Sequence, residues 1–370
     1  MEKKKIRSFL YKIELNGSGI VNFDDNSQKS SLWEKKIYHL YDKHSNVQYA
    51  KKDFFINEKN EWDYKIMISD GALRNALFRN DYVASISHIF KYPLLYIPYI
   101  ASPAIIIRGF MNTEKEDGGH RKSSICLPSA IQTNKSQSSL QIRTRCGYKE
   151  LKKEKEDSLD AKDTTMFKRE TIGDITYEVK GGFFDTQQVQ FISADQAYGR
   201  YSINPDYFNI FAEELSKNIP SYDGKLGFYN LEDSSVKYPE LGLLFSEDDI
   251  KFLMVEFIRR LINLEIIRSG SFARITSLKI KFIYDPLENR LNNDEDWIDI
   301  KSLTQFEELI KDLNVKIYYE ESDYDQTVKV RSQLKDRIKD SKTARRKVKE
   351  EEKRRRAEAK KEKELKNLNK

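Results

Sequence analysis

Arg108 and the pair Arg121-Lys122 stand at the two mouths of one loop, in RGFMNTEKEDGGHRKSSICLPSAI, Arg108 to Ile131. Arg143 and Arg145 follow in QIRTRCG, Lys168 and Arg169 in MFKRE, and Arg268 and Arg274 bracket Ser269, Gly270 and Ser271 in RSGSFAR. Each cluster adjoins Gly, Ser or Thr. Small residues let a phosphate backbone come close, while guanidinium forks and main-chain N–H groups bind its oxygens. Singly, each cluster is better read as a surface ion-pair site. Together, at loops and strand ends, they favour a track for a single-stranded nucleic acid. Phe110, Tyr148, Phe167, Phe183, Phe184 and Phe272 are interleaved with them, either to stack on bases or to close the core.

Catalysis leaves a thinner signal. Of the four histidines, His39 and His44 lie in an aromatic, basic stretch and His88 in an apolar one. Only His120, beside Arg121, has the setting of a general base for metal-independent RNA cleavage, and an exposed loop histidine is the plainer reading. FDDN (Phe23 to Asn26) has the carboxylates to hold a metal, but a charged turn after a first strand explains it as well. NNDEDWID (Asn292 to Asp299) lacks the alternation and terminal Glu of an EF-hand. No Walker A, GxSxG or HExxH pattern occurs. A binding role without metal or cofactor is therefore expected.

Charge is unevenly distributed along the 370 residues. The whole chain carries +6, yet residues 329–370 hold 19 Lys or Arg against 8 Asp or Glu, a net +11 that leaves about −5 on residues 1–328. A nucleic-acid surface on that body has to be a local patch. Cys126 and Cys146 form no CxxC, which argues against a zinc site and a disulfide framework and fits a reducing cytoplasm. No apolar run is long enough for a signal peptide or a membrane span.

The elements that must position these residues follow from periodicity. FLYKIELNGSGIV, Phe9 to Val21, alternates around Gly-Ser-Gly and predicts a strand with a bulge or turn. SDGALRNALFRN, from Ser69, predicts a capped helix. PLLYIPYIASPAIIIRGF, cut by Pro93, Pro98 and Pro103, predicts extended segments ending in a strand. GDITYEVKGGFFDTQQVQFISAD predicts a hairpin turning at Gly181-Gly182. SEDDIKFLMVEFIRRLINLEII predicts a buried helix, and RSGSFARITSLKIKFIYD a Gly-Ser loop and a strand with Ile275, Leu278, Ile280 and Phe282 inward. The order suggests an α+β body of the split βαβ, ferredoxin-like kind over residues 1–328, with a charged insertion at about 132–170 and a basic helical or disordered tail over 329–370.

Three blocks, AIIIRGFM…GGHRKSSICLPSAI, TYEVKGGFFDTQQVQFISAD and IIRSGSFARITSLKI, spanning about residues 104–284, together resemble the Cas-seven-type backbone subunit of type I CRISPR effector complexes, especially compact variants of subtype I-F. The resemblance implies an RRM-like core of the RAMP superfamily with a protruding thumb, the region around 132–170. It implies copies polymerising head to tail along a guide RNA, with other effector subunits and a target bound through guide pairing. Arg108, Arg121 and Lys122 would hold phosphates at one loop, and Arg268, Ser269, Ser271 and Arg274 at the other. The chain lacks an RNP1 consensus, so base stacking on the sheet is not implied. Where a relative cleaves target RNA with a loop aspartate, Asp24 or Asp25 is the nearest equivalent. The rival readings are an endoribonuclease of the same superfamily with His120 as base, and an accessory protein that binds RNA through its tail alone.

Overall fold

The computed structural model describes residues 5–19, 21, 47–48, 50–79, 93–111, 119–135, 138–147, 163–199, 205–232, 240–268, 270–284, 296–322 and 350. The chain divides into two compact units, Met1–Leu226 with Leu243–Tyr318, and Gly227–Gly242 with Tyr319–Lys370. In the second, Tyr229 to Leu231 pair antiparallel with Tyr319–Glu321. The first holds the main sheet and its helices. The expected tail lies outside the described residues apart from Glu350, as do FDDN, His39, His44, His88, Tyr148 and Ser269.

The strands needed below are β1 (Ser8–Ser18), β2 (Lys52–Ile56), β3 (Trp62–Ile68), β4 (Ala130–Gln132), β5 (Ser138–Gly147), β6 (Asp163–Ile172), β7 (Asp174–Asp185), β8 (Glu265–Arg268) and β9 (Ser271–Ile283). The helices are α1 (Asp70–Leu77), α2 (Pro93–Ile100), α3 (Pro103–Arg108), α4 (Thr186–Gln190), α5 (Glu247–Ile262) and α6 (Leu303–Lys311). The main sheet runs β8-β9-β1-β7-β4-β3-β2, and every neighbouring pair on that path is antiparallel. Mixed helix and sheet confirm the α+β class.

Strict alternation makes β1 the centre of the sheet. Phe9, Tyr11, Ile13 and Leu15 are buried on one face, whereas Glu14 and Asn16 are exposed on the other. The inward side chains meet α5, whose Ile250, Leu253, Met254, Phe257, Ile258 and Leu261 are buried at helical spacing. Phe9 stacks on Phe184 at 4.9 Å between centroids, and Phe257 packs edge-on to Tyr11 at 5.3 Å. Each such buried side chain contributes about 2 kcal/mol by leaving water. The expected start of α5 is present as a capping box: the Ser246 hydroxyl accepts from the Asp249 N–H at 3.2 Å, and the Asp249 carboxylate from the Ser246 N–H at 2.9 Å. Ser69 likewise caps α1.

Three local expectations change. The proline-cut stretch forms helices α2 and α3 with only the two-residue strand Phe110–Met111 after them. Pro93 and Pro103 begin those helices, where the missing N–H has no intrahelical acceptor to lose. Gly181-Gly182 does not turn a hairpin: β7 runs straight through, with a register shift between Val179 and Gly182. Gly181 has φ +74°, the bulge conformation, and a Cβ on Gly182 would fall 2.1 Å from the Tyr11 ring. β1 itself stays regular, and its irregularities lie in its neighbours β7 and β9. The charged insertion includes a ribbon, β5 paired with β6 from Ser138↔Ile172 to Gly147↔Asp163, with Val47 and Gln48 parallel to β6.

The Tyr11 hydroxyl donates to the Cys126 carbonyl at 2.7 Å, and burial raises the pKa of both Tyr11 and Tyr177 well above the usual phenol value. A raised native pKa keeps the full contribution below the unfolded value of about 10 and loses it as pH climbs past that point, because the unfolded chain sheds protons the native one retains. In an alkaline titration followed by tyrosinate absorbance, at least two of the 21 tyrosines should ionise only together with the loss of circular dichroism. Reversible ionisation of all of them in the folded protein would contradict this burial.

Candidate nucleic-acid interface

Three segments far apart in sequence close on one groove. α1 supplies Asn75 and, just past its end, Arg79; α3 ends in Arg108; β8 supplies Ile267 and Arg268. The groove has a volume of about 730 Å³. Its one lining carboxylate, Glu265, is ion-paired with Arg274 across the β8–β9 hairpin. Three arginines therefore line a groove whose single acidic residue is already ion-paired. Of the residues expected from sequence, Arg108 and Arg268 meet here. Arg79 was legible only as a cation on a helix, since nothing in the spacing brings residue 79 to residues 108 and 268.

Local structure explains how each is held. Arg108 closes α3, and Gly109 follows at φ +74°, its N–H donating to the Ile105 carbonyl at 2.8 Å. A Cβ at Gly109 would stand 2.6 Å from the Arg121 carbonyl and 2.7 Å from the Lys122 carbonyl carbon, so the backbone of exposed Lys122 passes directly beside the end of α3. Arg268 ends β8 at a tight connection in which Gly270 takes φ +80°. The opposite partner Ser271 is buried, and its hydroxyl occupies the space a Cβ on Gly19 would need. Ser271 therefore packs inward instead of presenting its hydroxyl to a ligand. Arg274 lies over the Phe272 ring at 5.4 Å. Phe272 is exposed, whereas Phe110 and Phe184 close the core.

Arg121 corrects the expectation most clearly. It is 3% exposed. Its Nε donates to the Ile106 carbonyl at 3.2 Å, Nη1 to Phe191 at 2.8 Å, and Nη2 to Gln188 at 2.6 Å and Val189 at 3.3 Å. Three of these carbonyls come from the end of α4 and the residue after it, so the guanidinium caps that helix and ties it to α3. The alternation of the short strand His120–Arg121 accounts for the outcome: Arg121 turns inward, and its neighbours His120 and Lys122 stay exposed.

The remaining cations stand elsewhere. In the β5–β6 ladder Arg143 is opposite Phe167, Arg145 opposite Thr165, Ile142 opposite Lys168 and Gln141 opposite Arg169. All four basic residues thus sit on one ribbon. Of the acidic stretch near residue 296, Asp296 pairs with Lys281 at 3.1 Å and Asp299 with Lys279 at 3.8 Å. Among the described residues no group of three or more His, Cys, Asp or Glu is placed to hold a metal ion. No described helix is long and apolar enough to cross a membrane.

The family model described as "Type I-Fv CRISPR-associated protein Cas7fv-like" matches residues 5–311, and the chain belongs to that family. No curated protein matches the sequence. Among solved structures it is similar to a chain of a "CRISPR RNA-guided surveillance complex", with 8% identity, 78% of this chain and 76% of that chain covered, and a TM-score of 0.32.

Proposed function

We propose that this chain is a non-catalytic backbone subunit that binds a CRISPR guide RNA by its phosphates and assembles in copies along it, with other effector subunits and a target recognised through guide pairing. The convergence of Arg79, Arg108 and Arg268 on one groove carries the reading, because phosphate recognition needs several guanidinium groups on one path. Family membership supports it. The strands β9-β1-β7-β4, with helices between the first and second and between the third and fourth in chain order, have the 4-1-3-2 order of an RRM-like body. The β5–β6 ribbon is the natural thumb, and Arg143, Arg145, Lys168 and Arg169 extend the track along it. The tail over residues 329–370 adds a basic tether.

Salt dependence tests the reading. With Arg79, Arg108 and Arg268 on phosphates of one strand, log affinity for single-stranded RNA should fall with log salt at a slope of at least about −2, from roughly −0.7 per contact, and more steeply with the ribbon and the tail engaged. The RNA should be recovered uncut, and the protein should purify with short RNA of its host. A flat salt dependence in a variant ending at residue 328 would sink the proposal, since binding would then reside wholly in the tail.

A further inference from the structure

A second pocket, of about 220 Å³, lies on the face of the main sheet turned away from α5. Lys12 and Glu14 of β1, Glu178 of β7, and Ser277 and Lys279 of β9 line it, together with Trp297. The register sets like charges side by side twice: Glu14 stands opposite Glu178, and Lys12 opposite Lys279. Opposite charges across a ladder stabilise a sheet, whereas like charges destabilise it. The two pairs stand two residues apart along β1, about 7 Å, so the pocket has an anionic end and a cationic end. Relief from within the protein is slight. Lys180 pairs with Glu178 at 3.3 Å and Asp299 with Lys279 at 3.8 Å, each through an exposed side chain, and such pairs contribute little. Among the described residues no ion pair engages Glu14, which is exposed. Trp297 stands at the cationic end, with the Lys12 ammonium 4.2 Å from the centre of its ring. Pairing of Ile298 with Ile280 and Asp299 with Lys279 holds it there, as does the contact of Asp296 with Lys281 at 3.1 Å.

We propose that this pocket binds one guanine nucleotide. A nucleotide has the matching polarity: N–H donors on the edge of its base, an aromatic ring, and a phosphate at the far end. Carboxylates only accept hydrogen bonds, so the base edge that meets Glu14 and Glu178 has to donate. Guanine presents N1–H and its N2 amino group side by side and fits one carboxylate with two bonds. Adenine and cytosine set one amino group beside an acceptor nitrogen, and uracil sets one N–H between two carbonyls, so each brings acceptors against the acidic pair. Lys12, on its flexible stem, leaves the indole for the phosphate beside Lys279, and the base takes its place on the Trp297 ring. The inference rests on the reading of the chain as an RNA-binding subunit only for the source of the nucleotide, which is a residue of the bound strand or a free monophosphate.

Base identity provides the test. Full-length protein freed of host RNA is titrated, with fluorescence anisotropy as the readout, into short oligouridines that carry one central guanosine, adenosine or uridine. Guanosine should tighten binding by about tenfold over uridine, the discrimination of one bidentate pair, and adenosine by clearly less. Glu14→Gln keeps the shape of an exposed side chain but offers an amide in place of one carboxylate. It should erase the guanosine gain without weakening the all-uridine strand or moving the thermal midpoint, and Glu178→Gln repeats the measurement on the facing strand. In Arg108→Ala/Arg268→Ala all the oligonucleotides should weaken together while the ratio between bases persists, so failure of the RNA reading and failure of the pocket give different patterns. Calorimetric titration with the four free nucleoside monophosphates forms the second arm. A gain in the oligonucleotides assigns the pocket to a residue of the strand, whereas Glu14-dependent binding of guanosine monophosphate alone assigns it to the free nucleotide. Equal affinity for guanine and uracil in both arms overturns the proposal, and so does a guanine preference that survives both glutamine substitutions.

Discussion

Replacing Arg121 by methionine should lower the thermal midpoint by about 10 °C while leaving the salt slope of RNA binding unchanged. Four carbonyls, of Ile106, Gln188, Val189 and Phe191, accept from this one guanidinium inside the protein. Methionine matches the stem in length but donates nothing. Each buried acceptor left without its donor costs roughly 1–3 kcal/mol, and partial relaxation brings the total to about 3–5 kcal/mol. At about 2–4 °C per kcal/mol for a body of this size, the midpoint falls by the stated amount. Lysine keeps the charge but lacks the planar fork that reaches α3 and α4 at once, so Arg121→Lys should lie between wild type and Arg121→Met. Differential scanning calorimetry and a salt series of RNA anisotropy together decide the point. An unchanged midpoint with a shallower slope would return Arg121 to the RNA track.

The double variant Arg108→Ala/Arg268→Ala should show the opposite pattern. These residues end α3 and β8 and meet only in the groove. A hydrogen bond from a cation to phosphate contributes about 1.5 kcal/mol or more, so losing both weakens single-stranded RNA binding by about a hundredfold. The salt slope should flatten by about 1.4, two contacts at roughly 0.7 each. Neither side chain is buried, and the thermal midpoint should move by only about 2 °C. Wild-type affinity in the double variant would remove the groove from consideration, leaving the ribbon or the tail as the binding surface.

Much of the architecture is legible in the residues. Alternation in β1, the Ser-led starts of α1 and α5, and the Gly-Ser connection before β9 each follow from local chemistry that the tertiary structure leaves in place. Gly181-Gly182 shows where local chemistry is ambiguous. Two glycines suit a two-residue turn and a bulge equally, and the choice falls to long-range packing. Phe184 must return to stack on Phe9, which holds β7 alongside β1 across the irregularity. The proline-rich stretch failed for a different reason. Proline disfavours the interior of a helix but begins one readily, as Pro93 and Pro103 do; Pro98 nevertheless stands inside α2, and the burial of Ile97 and Ile100 there and of Ile105, Ile106 and Ile107 in α3 is long-range packing that the sequence does not display.

The site divides along the same line. Arg108 and Arg268 were identifiable because each terminates an apolar segment within two residues of a glycine. Their meeting with Arg79 was not, because a groove assembled from α1, α3 and β8 has no linear spacing. Arg121 and Lys122 look alike in the sequence, yet the two-residue periodicity of a strand sends one into the interior and leaves the other outside. The sign of a charge is local information, whereas its destination is decided by the partner carbonyls that other elements deliver.

The irregularity in β9 governs how the strand tolerates changes in length. Ile275 stands opposite Leu15 and Ser277 opposite Glu14, so Thr276 is the supernumerary residue. On both sides of it the inward and outward phases already agree with β1. Deleting Thr276 would join two correctly phased halves, whereas deleting a neighbour such as Lys279 would turn part of the strand inside out. Thr276 is thus the position at which this strand can lose a residue with both faces kept in phase, and the basic hairpin that precedes it then keeps its aim.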